Sequence, residues 1–159
     1  MKYTIQHQKP HLRYIYIKVE LDNITEDSIE LQLPSWRPGR YELGNFAKNV
    51  RNFRVTGSNG NPLAFEKTAK DHWVIKTAGA KEIHVHYEYY AAELNAGSTY
   101  LDHLQLYMNP VNCCMYVPDR MNEEHWLELA LPDDYKIACA LEQPVKHQLS
   151  APSFDRLAD

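Results

Sequence analysis

The sequence predicts an all-β domain, an antiparallel, β-sandwich-like fold of two sheets with one short helix. Three observations carry this. Apolar and polar residues alternate with a period of two over much of the chain, as in Tyr14–Leu21 and Lys81–Tyr90. Clusters of turn formers such as Asp22-Asn23, Gly57-Ser58-Asn59-Gly60-Asn61-Pro62 and Thr77-Ala78-Gly79-Ala80 punctuate these stretches at intervals of about ten residues. The chain also holds 11 tyrosines, a residue type that pleated, half-buried surfaces accommodate.

In Tyr14–Leu21, Ile15, Ile17, Val19 and Leu21 share one face and Tyr14, Tyr16, Lys18 and Glu20 the other. Ser28–Leu33 alternates likewise, with Ile29, Leu31 and Leu33 inward, and the two strands are expected to pair antiparallel. In Arg37-Pro38-Gly39-Arg40, Pro38 presets φ for the first central position of a type II turn and Gly39 supplies the positive φ of the second. Phe46, Val50 and Phe53 then recur at helical spacing, which predicts a short helix after the Trp36 loop. Phe53–Val55 leads into the Gly57–Pro62 hairpin loop, with Leu63–Lys67 as its return strand.

Farther on, His72–Lys76 is read as a strand with Trp73 and Ile75 on one side. Lys81–Tyr90 is the longest alternation, with Ile83, Val85, Tyr87 and Tyr89 facing one way. Tyr100–Met108, Cys113–Val117, Trp126–Leu131 and Tyr135–Leu141 complete the strands. Residues 1–145 are assigned to the β-sandwich domain. Residues 146–159, with little apolar patterning, are assigned to a linker.

A chain of 159 residues fits one domain with a real core. A net charge of −4 and scattered lysines and arginines argue against a nucleic-acid partner. No apolar run approaches membrane-spanning length, so no membrane partner is expected. Cys113, Cys114 and Cys139 show no disulfide framework and fit a reducing, cytoplasmic compartment; a secreted or periplasmic protein would have lost a leader. As neighbours on a strand, Cys113 and Cys114 would point to opposite faces, so at most one of them faces a core.

Leu33-Pro34-x-Trp36-x-Pro38-Gly39-x-Tyr41, followed by Phe46-Ala47-x-Asn49-Val50, resembles the N-terminal domain of the glycyl aminopeptidase family. These are thermolysin-like zinc metallopeptidases that also carry a PDZ domain. Lys70-Asp71-x-Trp73, Tyr87-x-Tyr89-Tyr90, Tyr100-Leu101-Asp102, Asn109-Pro110 and the closing Ser153–Asp159 extend the likeness over nearly the whole chain. Arg40 departs from it, since a small residue is expected after the Pro-Gly. So does the absence of any His-Glu-x-x-His, the helical motif that supplies two zinc ligands and a general base. The resemblance implies a non-catalytic β-domain ahead of a zinc-binding catalytic domain in the same polypeptide. Its expected work is to pack on that domain and wall one side of a peptide-substrate cleft.

Within that reading Asp102 and Glu93, acids on loops, are the substrate-cleft candidates, because an aminopeptidase must anchor a cationic α-amine. Trp36, Arg37, Arg40 and Tyr41 are the interdomain-contact candidates, since aromatic and arginine side chains are enriched at interfaces. Taken alone, a tryptophan at position 36 is more often a core plug. The isolated domain, with its partner surface uncovered, is expected to self-associate. His84 and His86 share a strand face and are weak metal candidates, with His72 or His103 as a third ligand; the plainer expectation is a solvated face shared with Glu82 and Glu88. A nucleophile built from Cys113 or Cys114 with His103 lacks a base placed against the thiol. The rival function is a stand-alone carbohydrate- or peptide-binding module, which would set Trp36, Trp73 or Trp126 in an open line.

Overall fold

A computed structural model describes residues 1–40 and 42–159. Seven strands form the larger sheet: β1 (Lys2–Gln6), β2 (Tyr14–Leu21), β4 (Val50–Gly57), β7 (Ile83–Tyr90), β10 (His125–Ala130), β11 (Glu142–Val145) and β12 (Gln148–Ala151). Their spatial order is β11-β12-β10-β1-β2-β7-β4, antiparallel except where β1 runs parallel to β10. A second sheet has the order β3-β6-β5, from β3 (Ser28–Gln32), β5 (Phe65–Ala69) and β6 (His72–Lys76). β8 (Tyr100–Leu101) and β9 (Leu106–Tyr107) form a small ribbon.

The alternation read from sequence sets the core. Ile15, Ile17, Val19 and Leu21 of β2 and Ile83, Val85, Tyr87 and Tyr89 of β7 are buried, as are Ile29 and Leu31 of β3 and Trp73 and Ile75 of β6. Phe53 of β4 joins the two sheets, with its ring 5.2 Å from the Trp73 ring and 6.4 Å from that of Tyr87. Phe46–Asn49 is helical as expected, in the tighter 3-10 form.

Several strand assignments change. β2 does not pair with β3, because β1 and β7 occupy its two edges and β3 pairs with β6. The connection crosses between sheets, and Ile24 plugs the core on the way. The Gly57–Pro62 hairpin closes through the Thr56–Pro62 bridge, but its return strand leaves at once for the other sheet as β5. Strand β1 was not read from sequence, and Tyr135–Leu141 is irregular.

Cys113–Val117 is not a strand. A helical turn, α1 (Pro110–Cys113), starts at a proline, which suits the first turn of a helix. An extended segment follows it beneath the sheet. Tyr87 Oη donates to the Cys113 carbonyl at 2.6 Å, and Tyr3 Oη donates to the Met115 carbonyl at 2.7 Å. Both Cys113 and Cys114 are buried, because strand alternation does not govern a helix-to-extended junction enclosed on all sides.

The linker assignment for 146–159 is also corrected. β12 lies between β10 and β11 in the larger sheet. Helix α2 (Phe154–Ala158) follows, N-capped by Ser153 Oγ accepting from the Arg156 amide. Phe154 and Leu157 are buried, and the Phe154 ring stacks on Tyr116 at 4.5 Å. The short run of apolar residues escaped the period-two test because it joins a four-residue strand to a single helical turn.

Candidate functional site

At one end of the sandwich the Trp36 loop meets the loop of residues 92–99. Each is closed on itself. Gly44 N–H donates to the Ser35 carbonyl at 2.7 Å, and the Arg40 amide reaches the Arg37 carbonyl across Gly39, whose φ is +79°. In the second loop Asn95 Oδ1 accepts from the Gly97 amide, and an Ala92–Tyr100 bridge shuts the base. Between the loops lies a cleft of about 450 Å³, walled by residues that include Arg37, Arg40, Glu42, Glu93, Gly97 and Asn112.

Arg37 spans the two loops. Its Nη1 donates to the Ala96 carbonyl at 3.2 Å, and its guanidinium lies against Gly97 so closely that a Cβ there would sit 2.5 Å from Arg37 Cζ. From beneath, buried Asn112 donates from Nδ2 to the Gly97 carbonyl at 2.8 Å. Arg37 Nε and Asn112 Oδ1 are both buried and have no hydrogen-bond partner among the described residues. Phe46 lies over Gly44, and Tyr89, whose hydroxyl accepts from Asn49, backs the cleft.

The predicted residues divide. Arg37, Arg40 and Glu93 are brought together on the cleft. Arg40 is tied to Glu42 at 2.7 Å, and Glu93 accepts from Ser98 Oγ at 3.3 Å. Asp102 does not line the cleft. Its Oδ1 accepts from the Leu104 and Gln105 amides and its Oδ2 from Tyr100 Oη, so the carboxylate is committed to its own turn. The Leu104 amide, foremost among these bonds, holds its pKa below the usual value. Trp36 is 48% exposed, which corrects the core-plug expectation. Pro38, Gly39 and Arg40, which follow it, are exposed as well, so the indole stands beside an exposed turn. Tyr41 lies outside the described residues.

His84 and His86 lie on the outer face of β7, where β2 and β4 flank them. His84 Nε2 is 2.8 Å from Glu82 and 3.7 Å from Glu20, and these three are close enough to share an ion. Lys18 Nζ already holds Glu20 at 2.7 Å. His86 is not in the group. Burial, then the charges of Arg54 and Lys18, push its pKa down. His72 pairs with Glu30 on the other sheet.

The sequence reading missed Gly97 and Asn112. The available signal was a lone amide inside the apolar run Val111-Asn112-Cys113-Cys114-Met115, since a polar residue among core residues is buried with its partners.

No curated protein matches the chain significantly. A crystal structure of an aminopeptidase N family protein from Idiomarina loihiensis superposes with a TM-score of 0.90 at 25% sequence identity, over 99% of this chain and 28% of that one. The chain thus spans under a third of that protein's length. The family model for the peptidase M61 N-terminal domain matches residues 2–159. That match takes in β12 and α2 together with the sandwich, and it agrees with the resemblance carried by the Trp36 loop. The chain belongs to the peptidase M61 N-terminal domain family.

Proposed function

We propose that this chain is the non-catalytic front domain of a zinc aminopeptidase, packing on the catalytic domain of the same polypeptide and lining one side of its peptide cleft. The supporting observation is where the apolar surface lies. Of nine exposed large hydrophobic residues among those described, Leu43 and Tyr90 line the cleft, and Trp36 and Leu94 belong to the two loops that form it. Contiguous exposed apolar surface marks an interaction site. A fixed aromatic-and-arginine rim suits a partner domain.

Zinc belongs to the catalytic domain in this reading. The Glu20, Glu82 and His84 group offers one imidazole and shares Glu20 with a lysine, which does not fit a His-Glu-x-x-His centre. The contribution of this chain is positional: Glu93 offers a carboxylate on the cleft wall to a peptide α-amine, and the Trp36 loop meets the neighbouring domain.

The test has two parts. The reading frame beyond Asp159 should continue into His-Glu-x-x-His, and a stop codon there would sink the proposal. In the full-length enzyme, Glu93→Gln should raise KM for short peptides about twofold to fivefold, the worth of one partly exposed ion pair, with kcat retained. An unchanged KM would remove Glu93 from the cleft.

The rival carbohydrate-binding reading needs tryptophans in an open line. Trp73 is instead 2% exposed and stacked in the core.

A further inference from the structure

We infer that Glu20, Glu82 and His84, on the outer face of the larger sheet, bind a divalent first-row cation such as Zn²⁺, with His84 Nε2 and one oxygen of each glutamate as its ligands. This site stands whether or not the chain is the front of a peptidase.

The strands build it. Glu20 of β2 and His84 of β7 are direct partners across the antiparallel ladder, which sets opposed side chains next to each other. Glu82 precedes His84 by two residues and so shares its face. His84 Nε2 lies 2.8 Å from Glu82 Oε1 and 3.7 Å from Glu20 Oε1, and all three ligand atoms fall within 4.8 Å of one another. Ligands about 2.0–2.2 Å from a tetrahedral zinc are themselves about 3.3–3.6 Å apart. The two distances to His84 straddle that span. The atoms are also within reach of solvent, since the side chains of His84, Glu20 and Glu82 are 18%, 26% and 45% exposed.

The charges favour a cation. A neutral imidazole has a hydrogen on one nitrogen only, so Nε2 serves Glu82 at best and gives Glu20 nothing. Among the described residues Glu82 has no lysine or arginine partner. Glu20 and Glu82 also wall a recess of about 670 Å³ with Asp22, Glu26, Glu123 and Glu124, opposed by the amino terminus, Lys2 and Arg120. Arg120 is spent on Asp22 and Glu123, and Lys2 on Glu128. A recess lined by one sign of charge raises the local concentration of the opposite ion. The imidazole selects within that class, because magnesium and calcium prefer oxygen alone and zinc takes nitrogen with oxygen.

One group opposes the ion. Lys18 Nζ holds Glu20 at 2.7 Å through Oε1, the same oxygen that faces His84. Zinc has to displace that ammonium, which makes Lys18 a competitor built into the site.

The experiment is a titration of the 159-residue chain with ZnCl₂, followed by calorimetry and by long-range 15N NMR of the histidine rings. One saturable zinc per chain is expected, with the His84 Nε2 resonance moving and the other histidines unchanged. Glu20→Gln, Glu82→Gln and His84→Gln should each weaken binding by at least about tenfold, the lower end of what even an outer-shell partner is worth. These side chains are partly exposed on an outer face, so the variants should keep the parent's urea midpoint in the absence of zinc. Lys18→Met should tighten zinc binding about twofold to fivefold, the worth of one partly exposed ion pair. Lys146→Met, a charge lost at the far side of the sheet between β11 and β12, should leave it unchanged.

No saturable binding, a His84 resonance that stays in place, or full binding in all three glutamine variants would each overturn the inference, the last by placing the zinc on Cys139 or another histidine. Zinc bound no more tightly by Lys18→Met than by Lys146→Met would remove Glu20 as a ligand and overturn the three-ligand site.

Discussion

His125 lies in the core against Tyr3 and Phe154, its Nδ1 donating to the Glu123 carbonyl at 2.7 Å. Burial keeps the ring neutral and its pKa below the usual 6.5, with the Glu123 bond acting in the opposite sense. Burial likewise lowers the pKa of His86 and of His7. The unfolded chain therefore takes up these protons first as the pH falls. Stability is fully held above about pH 6.5 and drains away below it, down through the lowered folded values. Urea midpoints measured from pH 7.5 to 5.0 should fall, and the fall should be shallower in His125→Phe, which keeps the stacking volume without a titrating group. Parallel slopes in the two proteins would show that His125 is not a source of the pH dependence.

The last element carries more than its length implies. β12 contributes a central-sheet neighbour to β10, and α2 turns Phe154 back over Tyr116 and His125. Phe154→Ala removes a ring that is 3% exposed and should cost about 3–5 kcal/mol, the range for emptying a buried aromatic site. Denaturant unfolding measures this directly, and a cost near zero would return residues 146–159 to the status of a tail. β11 is the contrast. Its four residues are all exposed and it contains Pro144, which an edge strand tolerates because one side of its backbone needs no partner.

For the whole molecule, the loop end is where uncovered apolar surface gathers, and the isolated domain should self-associate there. Light scattering of the 159-residue chain should show mass rising with concentration, and Trp36→Ser with Leu43→Ser should return it to a monomer. Both side chains are exposed, at 48% and 78%, so the double variant leaves the core intact. A strict monomer at high concentration in the parent chain would count against the patch. The fold class was legible because period-two alternation is a local property, and Ile15 to Leu21 or Ile83 to Tyr89 report their buried face without reference to any other strand.

Which strands become neighbours is not local, and there the reading of β2 with β3 failed. Sheet membership turns on where six residues of connection cross over, and on edges that β1 and β7 had already taken. The candidate site divides along the same line. Pro38-Gly39 shaped the Trp36 loop from sequence alone, because φ preferences belong to single residues. Only the tertiary structure could set Arg37 against Gly97 and bring Asn112 beneath it, since Arg37 and Asn112 lie 60 and 15 positions from Gly97 in the chain and meet it through folding of distant loops. Local periodicity and backbone preference thus determined the class of fold and its turns. Long-range packing, which decides what each buried polar atom finds or fails to find, determined the cleft.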